Sequence, residues 1–245
     1  MTDIAAPLAG DPGDHPVALA LRRAVRGEFP AVDGVVEVVP RWRAGLIGIV
    51  CFTGHALIAA APGEPSDSTT DALPLPEDVR RRIDAFGGAH DPRVVAAFAG
   101  AGGWIDSLDV VLAARGVGGQ PSLVARPDLV DHPRARHAAK VRDDVHCFSP
   151  PVGGGFLTLG TGLGGLPELG IELDEHLGPE IHGESAGAAG AGAPWSGREM
   201  ISAALTLVPE GDVVVAAVAP GNARALRAFL AAGFSPVGGV QLIVP

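Results

Sequence analysis

The chain has 245 residues, 47% of them hydrophobic and 19% charged, with a formal net charge of −10. That is enough chain to bury a sizeable core, and too apolar a composition for a disordered one. The acidic balance lacks the electrostatic footprint of a nucleic-acid binder, and no apolar run approaches the roughly 18 residues of a membrane span.

Residues 1–14 read as a flexible tail without the basic and apolar segments of a leader, which predicts a cytoplasmic protein. His15–Glu28 carries Val17, Leu19, Leu21 and Val25 between arginines and reads as a helix ended by Gly27 and Pro30. Val35–Val39 and Leu46–Ala60 are apolar and β-branched, the second broken by Thr53-Gly54, and predict strands with a turn. Residues 62–76 have the proline, serine and aspartate content of a loop. Glu77–Phe86 and Pro92–Ala99 read as short helices. The glycines of 100–103 then mark a boundary between a smaller α+β portion, 15–103, and a second domain, 104–245.

In that second domain Asp109–Ala114 reads as a strand and Asp128–Arg142 as a helix. Val145–Ser149 and Gly155–Leu159 form a hairpin around 150–154, and Pro167–Asp174 is a further strand. Gly197–Val208 is a helix, Val213–Val218 a strand apolar on both faces, Ala223–Ala232 a helix and Val237–Val244 the last strand. This order predicts a mixed α/β fold, a mostly antiparallel sheet flanked by helices.

Three patterns point away from the chemistry they spell. Cys51 and Cys147 suggest reduced thiols rather than a disulfide framework, and His146-Cys147 lacks the partner spacing of a zinc site, so no metal is expected. Gly183-Glu184-Ser185-Ala186-Gly187 matches the nucleophile elbow of serine hydrolases, but no strand precedes it. No histidine follows His182 to activate the serine. A serine hydrolase is therefore a lesser alternative. Gly160-Thr161-Gly162-Leu163-Gly164-Gly165 spells the dinucleotide fingerprint, yet it leads through Leu166-Pro167 into another strand, which suits a chain reversal.

The C-terminal block is more informative. Ser196-Gly197-Arg198-Glu199 is a capping box, and Met200, Ile201, Ala204, Leu205 and Val208 follow it as an apolar stripe. After the strand 213–218, Asn222 opens a helix that Gly233-Phe234 closes. With Phe229 at C3, Gly233 at C′ and Phe234 at C″, the two rings meet across the helix end. This strand–helix segment resembles that of the GNAT superfamily of acyl-CoA-dependent N-acetyltransferases; 104–245 is the stretch covered and 166–245 the specific part. The resemblance implies acetyl-CoA as co-substrate and a small amine as acceptor, with no nucleic acid and no membrane; a homodimer stays open. It implies a pantetheine arm lying against Ile171 and Leu173 where two parallel strands diverge, near Asn222 and Phe229. Phosphates would sit on Gly187, Gly190 and Gly192 or at Ser196, Gly197 and Arg198, where a helix N-terminus favours anions.

Departures from the family pattern accompany the likeness. Residues 177–195 separate strand from helix where the family has a short phosphate loop, and the chain has no tyrosine to protonate a leaving thiolate. Alternation puts Glu168, Gly170, Glu172 and Asp174 on one strand face. The resemblance makes Glu172 or Glu168 the base that deprotonates the amine, with His132, His137 and His146 as other candidates. The rival reading is a catalytically inactive binding or sensor module that keeps the fold.

Overall fold

The structure is a computed structural model, and it describes residues 15–61, 70–151, 153, 155–173 and 195–245. Sixteen helices and strands follow in order among these residues: α1 (Pro16–Ala24), β1 (Val36–Pro40), β2 (Ile47–Phe52), β3 (His55–Ala61), α2 (Glu77–Arg80), α3 (Pro92–Ala99), β4 (Trp104–Arg115), β5 (Val124–Ala125), α4 (Pro133–Val141), β6 (Asp143–Ser149), β7 (Phe156–Thr161), β8 (Pro167–Glu172), α5 (Gly197–Ala204), β9 (Val213–Val218), α6 (Ala223–Ala231) and β10 (Ser235–Val244). The fold is mixed α/β, with mostly antiparallel strands flanked by helices, as the pattern predicted.

The chain forms two compact units, and they are not consecutive in sequence. One takes the described residues up to 111 together with 217–221 and 236–245; the other takes 112–216 and 222–235. The expected boundary at 100–103 is the turn between α3 and β4, whereas the changeover between units falls inside β4. The last strand belongs with the N-terminal elements because its partner is there: β10 runs antiparallel to β2, from Gly239 opposite Cys51 to Ile243 opposite Ile47. Gly238 permits the approach, since a Cβ there would lie 2.5 Å from the Cys51 carbonyl oxygen.

In the unit that begins the chain, β2 and β3 form a hairpin about Thr53-Gly54, with Gly54 at φ +65° as a tight turn demands. β1 pairs with β3 in parallel, from Val36 opposite Ala56. Ile49, Ile58, Ile243, Val94 and Phe98 meet in its core, which places α3 against the sheet. Helix α1 is capped by His15, whose Nδ1 accepts from the Val17 amide at 3.2 Å while Nε2 lies 2.9 Å from the Pro40 carbonyl.

The other unit holds the meander β6–β7–β8, with β5 on the β6 edge and β9 beside β8. Helix α4 packs on β6 and β7, and α5 packs on β7, β8 and α6. Its helix ends follow local chemistry. The predicted helix 128–142 starts only at Pro133, because a residue before proline is driven to extended backbone, and His132 there (ψ 140°) caps α4 through Nδ1. In the first unit, α2 stops at Arg80 rather than 86. Asp84 Oδ1 takes the amides of Phe86 and Gly88 at 2.7 and 3.0 Å, an alternative to the helical bonding that would have continued.

Helix α6 closes as its sequence requires. Gly233 adopts φ +94°, the Phe234 amide bonds the Phe229 carbonyl at 3.1 Å, and the Gly233 amide bonds that of Leu230 at 3.1 Å. The Phe229 and Phe234 rings meet edge to face at 5.0 Å, and Phe229 is 2% exposed. Phe229→Ala is expected to lower the unfolding free energy by about 3–5 kcal/mol, read as a fall in the urea midpoint at unchanged slope. A change within 0.5 kcal/mol would show that the ring pair does not hold the helix end.

Candidate functional site

The candidate site is built on β8 and its two neighbours. On one side β8 pairs with β7 along its whole length, from Thr161 opposite Pro167 to Phe156 opposite Glu172. Gly164 (φ +63°) and Gly165 (φ +88°) carry the reversal between the two strands, so the G-x-G-x-x-G match is a turn. On the other side β8 runs parallel to β9, and the register holds at one pair, Glu168 opposite Val215. Among the described residues no further β8–β9 pair follows from Leu169 onward, whereas β8 stays registered on β7 to Glu172.

Glu168 is fixed at that pair. It is 1% exposed; its Oε1 meets Arg142 Nη2 at 2.6 Å and its Oε2 accepts the Leu163 amide at 3.1 Å. Glycine at 162 makes this possible, since a Cβ there would sit 2.0 Å from Glu168 Oε2. Both oxygens are therefore engaged within the protein, so Glu168, expected as a candidate base, is a buried ion-pair partner. Arg142, itself 7% exposed, reaches Thr158 Oγ1 at 3.4 Å through Nη1. The guanidinium passes beneath Gly170, where a Cβ would meet Arg142 Nη1 at 3.1 Å and Arg134 Nη2 at 3.3 Å.

Glu172 differs. It ends β8 opposite Phe156, is half-buried, and makes no side-chain hydrogen bond or ion pair among the described residues. Alternation puts it on the face of Glu168 and Gly170. Ile171 and Leu173 are half-buried beside it. Among the other basic candidates, His132 is occupied as the α4 cap with its ring 4.9 Å from Phe156, and His146 is exposed on β6.

Helix α5 begins at the end of β8. A Cβ on Gly197 would lie 3.3 Å from the Ala228 methyl of α6 and 3.6 Å from the Leu173 methyls, so the first turn of α5 packs closely on both. The capping box is complete. Ser196 Oγ accepts the Glu199 amide at 3.3 Å, and Glu199 Oε2 accepts the Ser196 amide at 2.7 Å and its hydroxyl at 2.8 Å. These bonds hold the Glu199 carboxyl below its ordinary range, the backbone bond contributing most. The amides of Gly197 and Arg198 take no part in the box, and Arg198 is exposed.

Other expected contacts have different roles or positions. Asn222 caps α6, its Oδ1 accepting the Ala225 amide at 3.0 Å. Phe229, expected near the coenzyme, lies buried against Phe234 in the helix-closing place its spacing predicted. Gly187, Gly190 and Gly192 lie outside the described residues, as do Asp174 and the Gly183–Gly187 elbow match. Sequence reasoning missed Arg142, and the close approach required at Gly162 was its one local trace.

No family model and no curated protein matches the chain. Among solved structures it is similar to a GCN5-related N-acetyltransferase from Kribbella flavida, at 15% identity and a TM-score of 0.30, over 58% of this chain and 59% of that one.

Two measurements test the site's construction. Glu168→Leu or Arg142→Met, each leaving half of a buried ion pair, is expected to cost about 3–5 kcal/mol, and the double change Glu168→Leu/Arg142→Met to recover much of it. Additive losses would mean that the two groups do not interact. For Glu199, the lowered folded pKa means that stability is present above the ordinary glutamate value and is lost as pH falls through the folded one. The melting-temperature advantage over Glu199→Gln should therefore be full at pH 6 and vanish toward pH 3; an advantage independent of pH would contradict it.

Proposed function

We propose that the chain is an N-acyltransferase that moves an acetyl group from acetyl-CoA to a small amine by direct attack. The observation that carries this reading is the single registered pair between β8 and β9. Parallel strands that separate beyond one pair leave backbone donors and acceptors of β8 facing a gap. An amide-bearing arm such as pantetheine satisfies such groups as an added strand would. Ile171 and Leu173 would flank the arm, and the Gly197 and Arg198 amides with the Arg198 guanidinium would meet its phosphates.

In this mechanism Glu172 accepts the proton of the attacking ammonium. The freed nitrogen lone pair adds to the thioester carbonyl carbon; as the carbonyl re-forms and the C–S bond breaks, the nitrogen gives its second proton to water and the departing thiolate takes one from water, leaving the neutral amide and the free thiol. Water suffices as the acid, because a thiolate is a stable leaving group and a positioned acid typically adds only about 10²–10⁴-fold. Glu172 suits the role because no internal partner competes for its oxygens.

One observation favours the alternative, a non-catalytic module of the same fold. The Glu199 carboxylate occupies the α5 N-terminus, where a phosphate would otherwise have the field to itself. Calorimetry with acetyl-CoA, followed by thiol release on adding a panel of amines, separates the two readings. The transferase requires binding and amine-dependent thiol release, whereas binding without release leaves the module. No binding at millimolar acetyl-CoA removes the transferase reading. In the active case, Glu172→Gln should lower kcat by about 10²–10⁴-fold with acetyl-CoA affinity unchanged. An unaltered kcat would exclude Glu172 as the base.

A further inference from the structure

The unit that begins the chain holds a cavity of about 480 Å³, within the range of small-molecule sites, between α1, the segment after it and the strands β1 and β3. Its apolar surface comes from Leu19, Phe29 and Leu57. Leu19 and Phe29 are large side chains left 41% and 54% exposed, while Leu57 is buried in the sheet. Its polar surface comes from Arg23, Glu37 and His55.

The charges in this cavity do not close on themselves. His55 is buried at 6% exposure, with Nδ1 3.0 Å from Asp33 Oδ1 and Nε2 3.2 Å from Glu37 Oε1. The Nδ1 contact is a hydrogen bond, and the Nε2 contact sets the edge of the ring against the Glu37 carboxylate. Two carboxylates thus share one ring, and Glu37 is half-exposed and lines the cavity. Glu28, also on the rim, is engaged by Arg26 at 3.3 Å. The Arg23 guanidinium on α1 makes no hydrogen bond or ion pair among the described residues and does not pair with Glu37, although both line the same space.

From this we infer that the cavity is a binding site for a small apolar amino acid, held as its zwitterion. The ligand's carboxylate lies on the Arg23 guanidinium, its ammonium on the Glu37 carboxylate, and its side chain against Leu19, Phe29 and Leu57. A ligand with one charge would leave either the arginine or the excess carboxylate without a partner. Bridging both is what a zwitterion does, and the guanidinium fork suits a carboxylate bidentately. His55 Nε2, 3.2 Å from Glu37 Oε1, lies beside the acidic end of the site. The inference rests on the N-terminal unit alone and is independent of the β8–β9 reading.

Titration of the full chain, without acetyl-CoA, tests it. L-leucine and L-phenylalanine are compared by calorimetry with 3-methylbutylamine, which lacks the carboxylate, and 4-methylpentanoate, which lacks the amine. The His55 ring resonances are followed by NMR in parallel. The amino acids should bind saturably, at least about tenfold more tightly than either analogue, given charge-assisted bonds of this kind, and should shift the His55 signals. Arg23→Ala, a surface change that leaves the fold intact by circular dichroism, should erase the preference over the amine. Glu37→Gln should erase the preference over the carboxylate. No saturable binding of either amino acid at 20 mM would overturn the proposal. Equal binding of a single-charge analogue, or an amino-acid affinity unmoved by Arg23→Ala, would overturn it as well; the arginine variant decides the matter if Glu37→Gln does not fold.

Discussion

A buried carboxylate is tolerated only when its oxygens have partners, and the site around β8 is organised by how that demand is met at Glu168. One oxygen takes the Arg142 guanidinium from the end of α4, the other takes the Leu163 amide from the β7–β8 turn, and Gly162 leaves the room for both. The clamp sits at the one residue where β8 is in register with β9. The turn, the end of α4 and the meeting point of the two parallel strands are thus tied to a single side chain. Beyond it, among the described residues, β8 pairs with β7 and no further with β9.

What lies beyond the clamp combines attraction and opposition toward an anionic ligand. The α5 N-terminus offers the amides of Gly197 and Arg198 with an arginine side chain, and Gly197 brings this turn against Leu173 and Ala228. The same turn carries Glu199, which stabilises the helix by its own bonds to Ser196 while placing a negative charge in the field a phosphate would use. Helix stability and phosphate affinity pull in opposite directions at this residue. The balance between them decides whether the opening serves as a coenzyme site.

Legibility in the sequence tracked the range of each interaction. The Ser196–Glu199 box, the Asn222 cap and the Phe229–Gly233–Phe234 closure are bonds within a few residues, and each was readable from spacing. So was the β6–β7 hairpin, and β9 was read to its bounds. Where the reading overran, as in 77–86 and 128–142, a side chain or a proline next in sequence redirected the backbone: Asp84 in the first case, Pro133 in the second. The missed features join distant residues. Nothing local in 237–244 names β2 as its partner, Glu168 on one strand face reads the same whether it meets water or Arg142, and the Asp33–His55–Glu37 array joins the stretch 33–37 to a residue of β3. Strand alternation gives a face, and only the folded chain says what the face meets.

The most direct test of the account is amide hydrogen exchange across β8, with and without acetyl-CoA. If the strands part beyond Glu168 and the gap takes the coenzyme's amide arm, exchange at Ile171 and Leu173 is fast in the free protein and slows markedly on addition of acetyl-CoA, while Leu169 hardly changes. Slow exchange at Ile171 and Leu173 before any ligand is added would mean that the strands are closed there, and would contradict the account. Fast exchange that acetyl-CoA leaves unaltered would contradict it equally.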